Sequence, residues 1–183
     1  GINTEKFFPN KTPLKSFGFP SIIISASKYR LHKRLQDAIR LVNFLSKDYP
    51  NIKLNILGDL DALTEQCIKN IDISNCFFHG KIKPSELPFY YQNSHIQLHL
   101  SIFDPCPNVV VEGLACGLPV ITPFESGAKE LVGYKNKSWV VNEGLSLEYC
   151  ELHLSNKIPQ INLQQYAEVF KNILQNLKKY QLS

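Results

Sequence analysis

The sequence predicts an α/β fold built on a doubly wound parallel sheet. Short apolar runs of strand length alternate along the chain with stretches of helical period. Repeated strand–helix units of this length imply parallel strands joined by right-handed crossovers. The 183 residues are enough for one domain with a full core.

The elements follow in order. SIIISAS (21–27) is a continuous apolar run and reads as a buried strand. Residues 33–47 read as an amphipathic helix, with Leu35, Ala38, Ile39, Val42 and Leu45 on one face. IKLNILG (52–58) is the next strand and ends at Gly58-Asp59. Residues 61–70 read as helix, NCFFHG (75–80) as strand, and 84–93 as a short helix begun at Pro84. HIQLHL (95–100) is a strand, a further helix starts at 107, and strands 119–122 and 138–142 follow. Leu163, Tyr166, Phe170, Ile173, Leu177 and Tyr180 recur at helical spacing, which predicts a C-terminal amphipathic helix over 161–180.

Bulk properties narrow the function classes. The formal charge of +4 is modest, and no dense basic run of the kind that binds nucleic acid occurs. The small excess of Lys and Arg suits an anionic small ligand or a membrane surface, and also an ordinary solvated surface. No apolar run approaches the ~18 residues of a membrane span. The five cysteines make no Cys-x-x-Cys pair. Cys67, Cys76, Cys116 and Cys150 sit among apolar or helical residues, as reduced thiols of a cytosolic core would. Cys106 falls in a loop, with no activating His placed by sequence. His32, His79, His95, His99 and His153 show no metal-ligating spacing with Asp or Cys. His95 and His99 face the same side of one strand, and a structural role is the expectation for both. The chain contains no Met and starts at Gly1, as a domain excised from a longer protein would.

The most informative stretch is SIFDPCPNVVVEGLACGLPVI (101–121). Asp104 should lie in the loop beyond the carboxyl end of the strand 95–100. Pro107 suits the first turn of a helix, where a missing N–H costs nothing. Val110, Val111, Leu114 and Ala115 supply that helix with an apolar face. In open parallel sheets ligands bind beyond the carboxyl ends of strands, beside helix N-termini that favour phosphate. Asp104 and Glu112 would therefore border one cleft, as acceptors for sugar hydroxyls. A buried or cap-forming Glu112 is the structural alternative.

At these residues the chain resembles the retaining GT-B glycosyltransferases, the group that includes bacterial lipopolysaccharide and capsule enzymes. Their nucleotide-sugar domain carries Glu-x7-Glu and a helix reading roughly Glu-Ala-x-Ala-x-Gly-x-Pro-Val. This chain reads Asp104-x7-Glu112, then Gly113, Leu114, Ala115, Cys116, Gly117, Leu118, Pro119 and Val120. Asp104 is one carbon shorter than the family's Glu, about 1.5 Å of reach. Three further segments fit in order. KYRLHKRL (28–35) stands where the family places an Arg and a Lys five residues apart. FHGKI (78–82) matches its base-contacting strand end, and FESGAKELVG (124–133) its Gly-Gly-x-x-Glu loop. GINTEKFFP, at the N-terminus, is similar to the segment that follows the family's interdomain linker.

The resemblance implies a Rossmann-like sheet forming the single C-terminal, donor-binding domain of a GT-B fold. It would span 1–183, with 1–20 a linker-like entry and the N-terminal acceptor domain outside the chain. It implies that Lys33 and Arg30 neutralise the leaving diphosphate, with Lys28 five residues before Lys33 as the other family match. Asp104 would hold the donor sugar's hydroxyls and Glu112 the ribose. Gly80, Asn108, Val109, Gly127 and Ala128 would complete the donor contacts. Ala128 stands in place of the family's second glycine, and Glu130 reads as a structural acid at a helix start. Taken alone, the Lys28–Lys33 stretch reads as a solvated basic turn, and the downstream motif turns the reading of Lys33 and Arg30 toward the diphosphate.

The implied substrate is a UDP- or GDP-sugar, with no metal required. The implied reaction passes a hexose or N-acetylhexosamine to a glycan or lipid-linked acceptor in the cytoplasm or at the inner face of the membrane. The isolated domain would bind donor without turnover. The C-terminal helix would cross toward the other domain or pack on its own sheet. A non-catalytic nucleotide-sugar-binding domain of the same fold is the alternative in another class. An epimerase or phosphorylase of like architecture would need acid–base residues or a pyridoxal-phosphate lysine that the sequence does not display.

Overall fold

Among the described residues, six parallel strands form one sheet in the order β3-β2-β1-β4-β5-β6. They are β1 (Ser21–Tyr29), β2 (Lys53–Leu60), β3 (Cys76–Gly80), β4 (Ile96–Leu98), β5 (Val120–Pro123) and β6 (Val140–Val141). Among the described residues the α-helices are α1 (Leu35–Leu45), α2 (Ala62–Ile68), α3 (Leu87–Gln92), α4 (Asn108–Ala115), α5 (Ala128–Leu131) and α6 (Leu163–Gln175). This computed structural model describes residues 2–10, 20–102, 104–145 and 158–177. The order is that of a doubly wound Rossmann-like sheet, as expected. Its direction of winding reverses between β1 and β4, which opens a crevice at their carboxyl ends.

Alternation along β1 explains the two covered faces. Ile22 and Ile24 join the larger core with α1 and α6, whereas Ile23 points the other way, into a cluster with Phe7, Leu57, Tyr91, Cys116 and Leu118. The predicted face of α1 is buried throughout. The expected C-terminal helix packs on its own sheet, against α1, β5 and β6. Tyr166, Phe170, Ile173 and Leu177 are buried there, and Tyr180 lies outside the described residues. The N-terminal entry is also packed. Phe7 is tilted against Tyr91 at 6.3 Å between ring centres, and the Phe8 carbonyl accepts from Gln92.

Several boundaries move for local reasons. β1 continues through Lys28 and Tyr29, past a register shift that starts after Ser25. Gly58 accommodates this bulge: it sits at φ +123°, and a Cβ there would lie 1.9 Å from the Ala26 carbonyl oxygen. Asp61 caps α2 by accepting the Thr64 N–H. Pro107 is extended and sits one residue before α4, rather than inside its first turn. The strand expected over 138–142 keeps only two residues, because 134–139 coils into 3₁₀ turns. Cys67, expected near the core, is exposed on α2.

The largest departure is at the start of α1. Leu31–Lys33 forms a 3₁₀ turn, and Arg34 then adopts a left-handed conformation, φ 55° and ψ 39°. A non-glycine residue there is strained, and its side chain supplies the compensation. Arg34 is fully buried. It donates two parallel bonds to Glu143, at 2.8 and 3.0 Å, and a third to the Pro159 carbonyl at 2.8 Å. The Tyr166 hydroxyl donates to the same carboxylate. Asp37 lies 4.0 Å from Arg34 and accepts from Arg40. Burial pushes the Asp37 carboxyl up, and the two guanidinium groups oppose that shift.

Removing one member of a buried ion pair strands the other. Arg34→Met should therefore lower unfolding stability by about 3–5 kcal/mol, and Arg34→Met with Glu143→Leu should recover much of the loss. Denaturant unfolding of both variants measures this; a single variant as stable as the parent would refute the anchoring role.

Candidate functional site

The loops after β1, β4 and β5 meet at one residue, Asp104. Its carboxylate accepts from Lys33 Nζ at 2.6 Å, and both side chains keep some exposure to solvent. Its carbonyl accepts the Gly127 N–H at 2.9 Å and lies 3.4 Å from the Ser126 hydroxyl. A bond from Ile102 N–H to the His32 carbonyl joins the β1 and β4 loops directly. The Lys33 ammonium and the Asp104 carboxylate, far apart in sequence, are therefore neighbours at the crevice between β1 and β4.

His99 closes this group from beneath. It is buried, and its Nε2 lies 3.9 Å from Asp104 Oδ2 with no hydrogen-bond partner among the described residues. Burial lowers its pKa to about 4; Lys33 adds to that shift and Asp104 opposes it. The ring is thus neutral near pH 7. His95, four residues earlier, has the structural role expected of it: its Nδ1 accepts the Ser21 N–H, and burial lowers its pKa too. Sequence spacing puts the two on one side of a strand but does not show that only His99 reaches the loop.

Glu112 projects from the middle of α4, half-buried, and accepts the Tyr91 hydroxyl at 3.0 Å. Burial raises its carboxyl above the ordinary range, and the Tyr91 bond acts against this. Burial also drives the Tyr91 phenol well up, so it stays a donor at any ordinary pH. Tyr91 is a site residue that sequence reading missed, hidden as an apolar position of a short helix.

The helix itself is held against the sheet through Gln97. Gln97 of β4 is buried and donates to the Val109 carbonyl at 2.9 Å. A Cβ on Gly113 would lie 1.8 Å from the Gln97 side-chain oxygen. Gly113 stands where the motif usually has alanine, and buried Gln97 is the physical reason. At the N-terminus of α4, Val110 and Val111 N–H groups fold back on the Pro107 carbonyl. The amides of Asn108 and Val109 stay outside the intrahelical ladder, and Asn108 is exposed.

The other expected contacts are placed as follows. Lys28 is exposed on β1, opposite Asp59. Arg30 is exposed between β1 and the 3₁₀ turn. Burial alone would raise the Asp61 carboxyl; the Thr64 hydrogen bonds and the charges of Lys28 and Arg30 bring it below its ordinary range. Gly80 ends β3 at φ +65°, with open space where a side chain would be. Beside it His79 stands edge-on to Tyr90, 4.9 Å between ring centres, and shares a hydrogen bond with Asn55. Gly127 is needed for close packing, since a Cβ would lie 2.0 Å from the Pro105 carbonyl oxygen. Its N–H already serves Asp104. Ala128 is buried, and its N–H faces the Ser126 hydroxyl at 3.3 Å. Glu130 is exposed in the first turn of α5. Among the described residues no three His, Cys, Asp or Glu side chains gather as a metal site would.

The family model described as "Glycosyl transferases group 1" matches residues 8–177. The chain belongs to this family. Among curated relatives, it is 28% identical over 153 residues to the amylovoran biosynthesis glycosyltransferase AmsK of Erwinia amylovora, covering 79% of this chain and 37% of AmsK. Two solved structures share the fold of this group 1 domain. One is the C-terminal domain of the group 1 family protein LpcC from Francisella tularensis, with TM-score 0.70 and 19% identity, covering 99% of this chain and 91% of that one. The other is WaaG, a glycosyltransferase involved in lipopolysaccharide biosynthesis, with TM-score 0.66 and 17% identity, covering 90% of this chain and 41% of WaaG. The group 1 domain thus spans well under half the length of AmsK, and it has the GT-B architecture expected from the motif.

Gly113→Ala should overpack the α4–β4 contact and cost about 1–3 kcal/mol. Shortening Gln97 to Val in the same chain should recover most of that cost. Thermal unfolding of the single and double variants tests this coupling, and additive losses would disprove it.

Proposed function

We propose that this group 1 domain is the donor-binding half of a retaining glycosyltransferase. The meeting of Lys33 and Asp104 at the β1–β4 crevice, beside the N-terminus of α4, is the observation that carries the reading. A nucleotide diphosphate sugar laid along the carboxyl ends of β1 and β4 has a complementary group for each of its parts. Lys33 and Arg30, with the Asn108 and Val109 amides, meet the diphosphate. Asp104 accepts from the sugar hydroxyls. Glu112, with one oxygen held by Tyr91, accepts from the ribose. Lys28, Gly80 and the Gly127–Ala128 turn line the approaches to the base and the phosphates.

The chemistry is then group transfer with retention. The bond between the anomeric carbon and the diphosphate oxygen breaks, and the acceptor oxygen bonds to the same face of that carbon. The acceptor's proton passes to the departing phosphate oxygen, giving nucleoside diphosphate and a new glycoside. Preorganised cations beside the leaving group stabilise the charge that develops there. The donor is a UDP- or GDP-activated hexose or N-acetylhexosamine.

The acceptor, a growing glycan or lipid-linked chain, would be held by an N-terminal domain and delivered in the cytoplasm or at the inner face of the membrane. Two features support this part of the reading: AmsK and WaaG are both longer than this chain, and their names tie them to amylovoran and lipopolysaccharide synthesis. Among the described residues no helix is long and apolar enough to cross a membrane.

Calorimetric titration of the chain with UDP-, GDP- and ADP-sugars tests the reading. One donor should bind saturably, with affinity reduced about 10- to 100-fold in Lys33→Ala, the range expected for a charge-assisted contact. Glu112→Ala should abolish binding. Binding that ignores both substitutions would place the nucleotide elsewhere.

A further inference from the structure

The two groups assigned to the donor are, in this structure, assigned to each other. Lys33 Nζ and Asp104 Oδ2 are 2.6 Å apart, so the ammonium meant for a diphosphate already has a carboxylate partner. A donor whose diphosphate draws Lys33 away would leave Asp104 beside a second anion with its cation gone. The structure provides a replacement. His99 Nε2 is buried, has no hydrogen-bond partner among the described residues, and lies 3.9 Å from the same carboxylate oxygen. A shift of about 1 Å brings that oxygen into the range of a charge-assisted hydrogen bond.

We propose that donor binding, as read above, passes Asp104 from Lys33 to His99, and that His99 takes up one proton from solvent as it does so. The donor therefore binds together with a proton. The balance is simple: no covalent bond to the donor changes, solvent or buffer gives up one H⁺, and the imidazole becomes an imidazolium whose Nε2–H faces Asp104.

Two charged groups face His99, and the exchange moves both in one direction. Lys33, on the 3₁₀ turn after β1, now disfavours the imidazolium, and Asp104, in the loop after β4, favours it. Binding carries Lys33 toward the phosphates, brings their negative charge nearby, and frees Asp104 to pair. A buried imidazolium is tolerable only with such a partner. The proton also spares Asp104 from standing unpaired beside the diphosphate. With the pKa of His99 about 4 while Lys33 and Asp104 are paired and higher in the complex, affinity is greatest at acid pH. It declines as pH rises toward the pKa of the complex, by up to tenfold per unit, and then levels off.

The test is calorimetry of the whole chain at pH 6.5 in PIPES and in ACES, two buffers with different heats of ionisation. The intact sugar nucleotide is the probe, because the terminal phosphate of a free nucleoside diphosphate itself titrates near neutrality. The expected result is a binding heat that differs between the buffers by up to one proton's ionisation. In His99→Gln the donor still binds, with affinity at pH 6.5 down by at most about tenfold, and the buffer difference disappears. The wild-type comparison stands without the variant, and an imidazole resonance whose titration midpoint rises on donor addition supports it independently.

Saturable binding with identical heats in both buffers overturns the proposal alone. Proton uptake that persists in folded His99→Gln also overturns it. A chain that binds none of the donors overturns the donor-site reading, and this inference with it.

Discussion

A buried guanidinium holds the turn that borders the crevice. Arg34 occupies a left-handed corner that a β-carbon makes unfavourable, and the corner persists because Glu143, Tyr166 and the Pro159 carbonyl hold its side chain. That anchorage ties the first strand–helix connection to the segment after β6 and to α6, regions more than a hundred residues away in sequence. The preceding turn, Leu31–Lys33, is fixed as a consequence, and so is the direction in which Lys33 leaves the backbone. The strain sits next to the site, and its compensation comes from Glu143, Pro159 and Tyr166, after β6 and on α6.

The crevice also has a second point of closure. Asp104 bonds outward through its carboxylate to the β1 loop and inward through its carbonyl to the β5 loop. Gly127 makes the inward contact possible, since any side chain there would collide with the Pro105 carbonyl. The glycine that the motif suggests for phosphate contact thus also closes two loops on each other. Gly113 repeats the pattern one layer down, where the absence of a side chain lets α4 settle on Gln97. In both places a small residue sets a backbone distance, and the distance sets where a functional group lies.

Much of this architecture was legible because it rests on periodicity. The apolar run of β1, the five-residue face of α1 and the spacing of α6 all express burial directly in residue order. The Asp104-x7-Glu112 stretch likewise placed its two carboxylates on a strand-end loop and the following helix, where both lie. Legibility failed where a side chain's partner is remote. Arg34 passed as part of the basic stretch 28–35, and Tyr91 as an unremarked residue of the short helix 84–93. His99 could not be separated from His95, because the bond of one to Ser21 and the approach of the other to Asp104 depend on how loops close. β1 ran past its expected end because a bulge and Gly58 allowed pairing to resume.

By itself, then, the residue order determined the strand–helix alternation, the parallel sheet, and the family to which the motif belongs. These follow from local pattern, which a chain carries wherever it folds. Only the tertiary structure decided that Lys33 and Asp104 hold each other, that a neutral His99 waits beneath them, and that Arg34 is anchored rather than solvated. Those distances depend on how the loops close, and the Lys33–Asp104 and Arg34–Glu143 pairs join residues far apart in the chain; burial also changes the charge states of the groups involved. Neither quantity is written in the order of the residues.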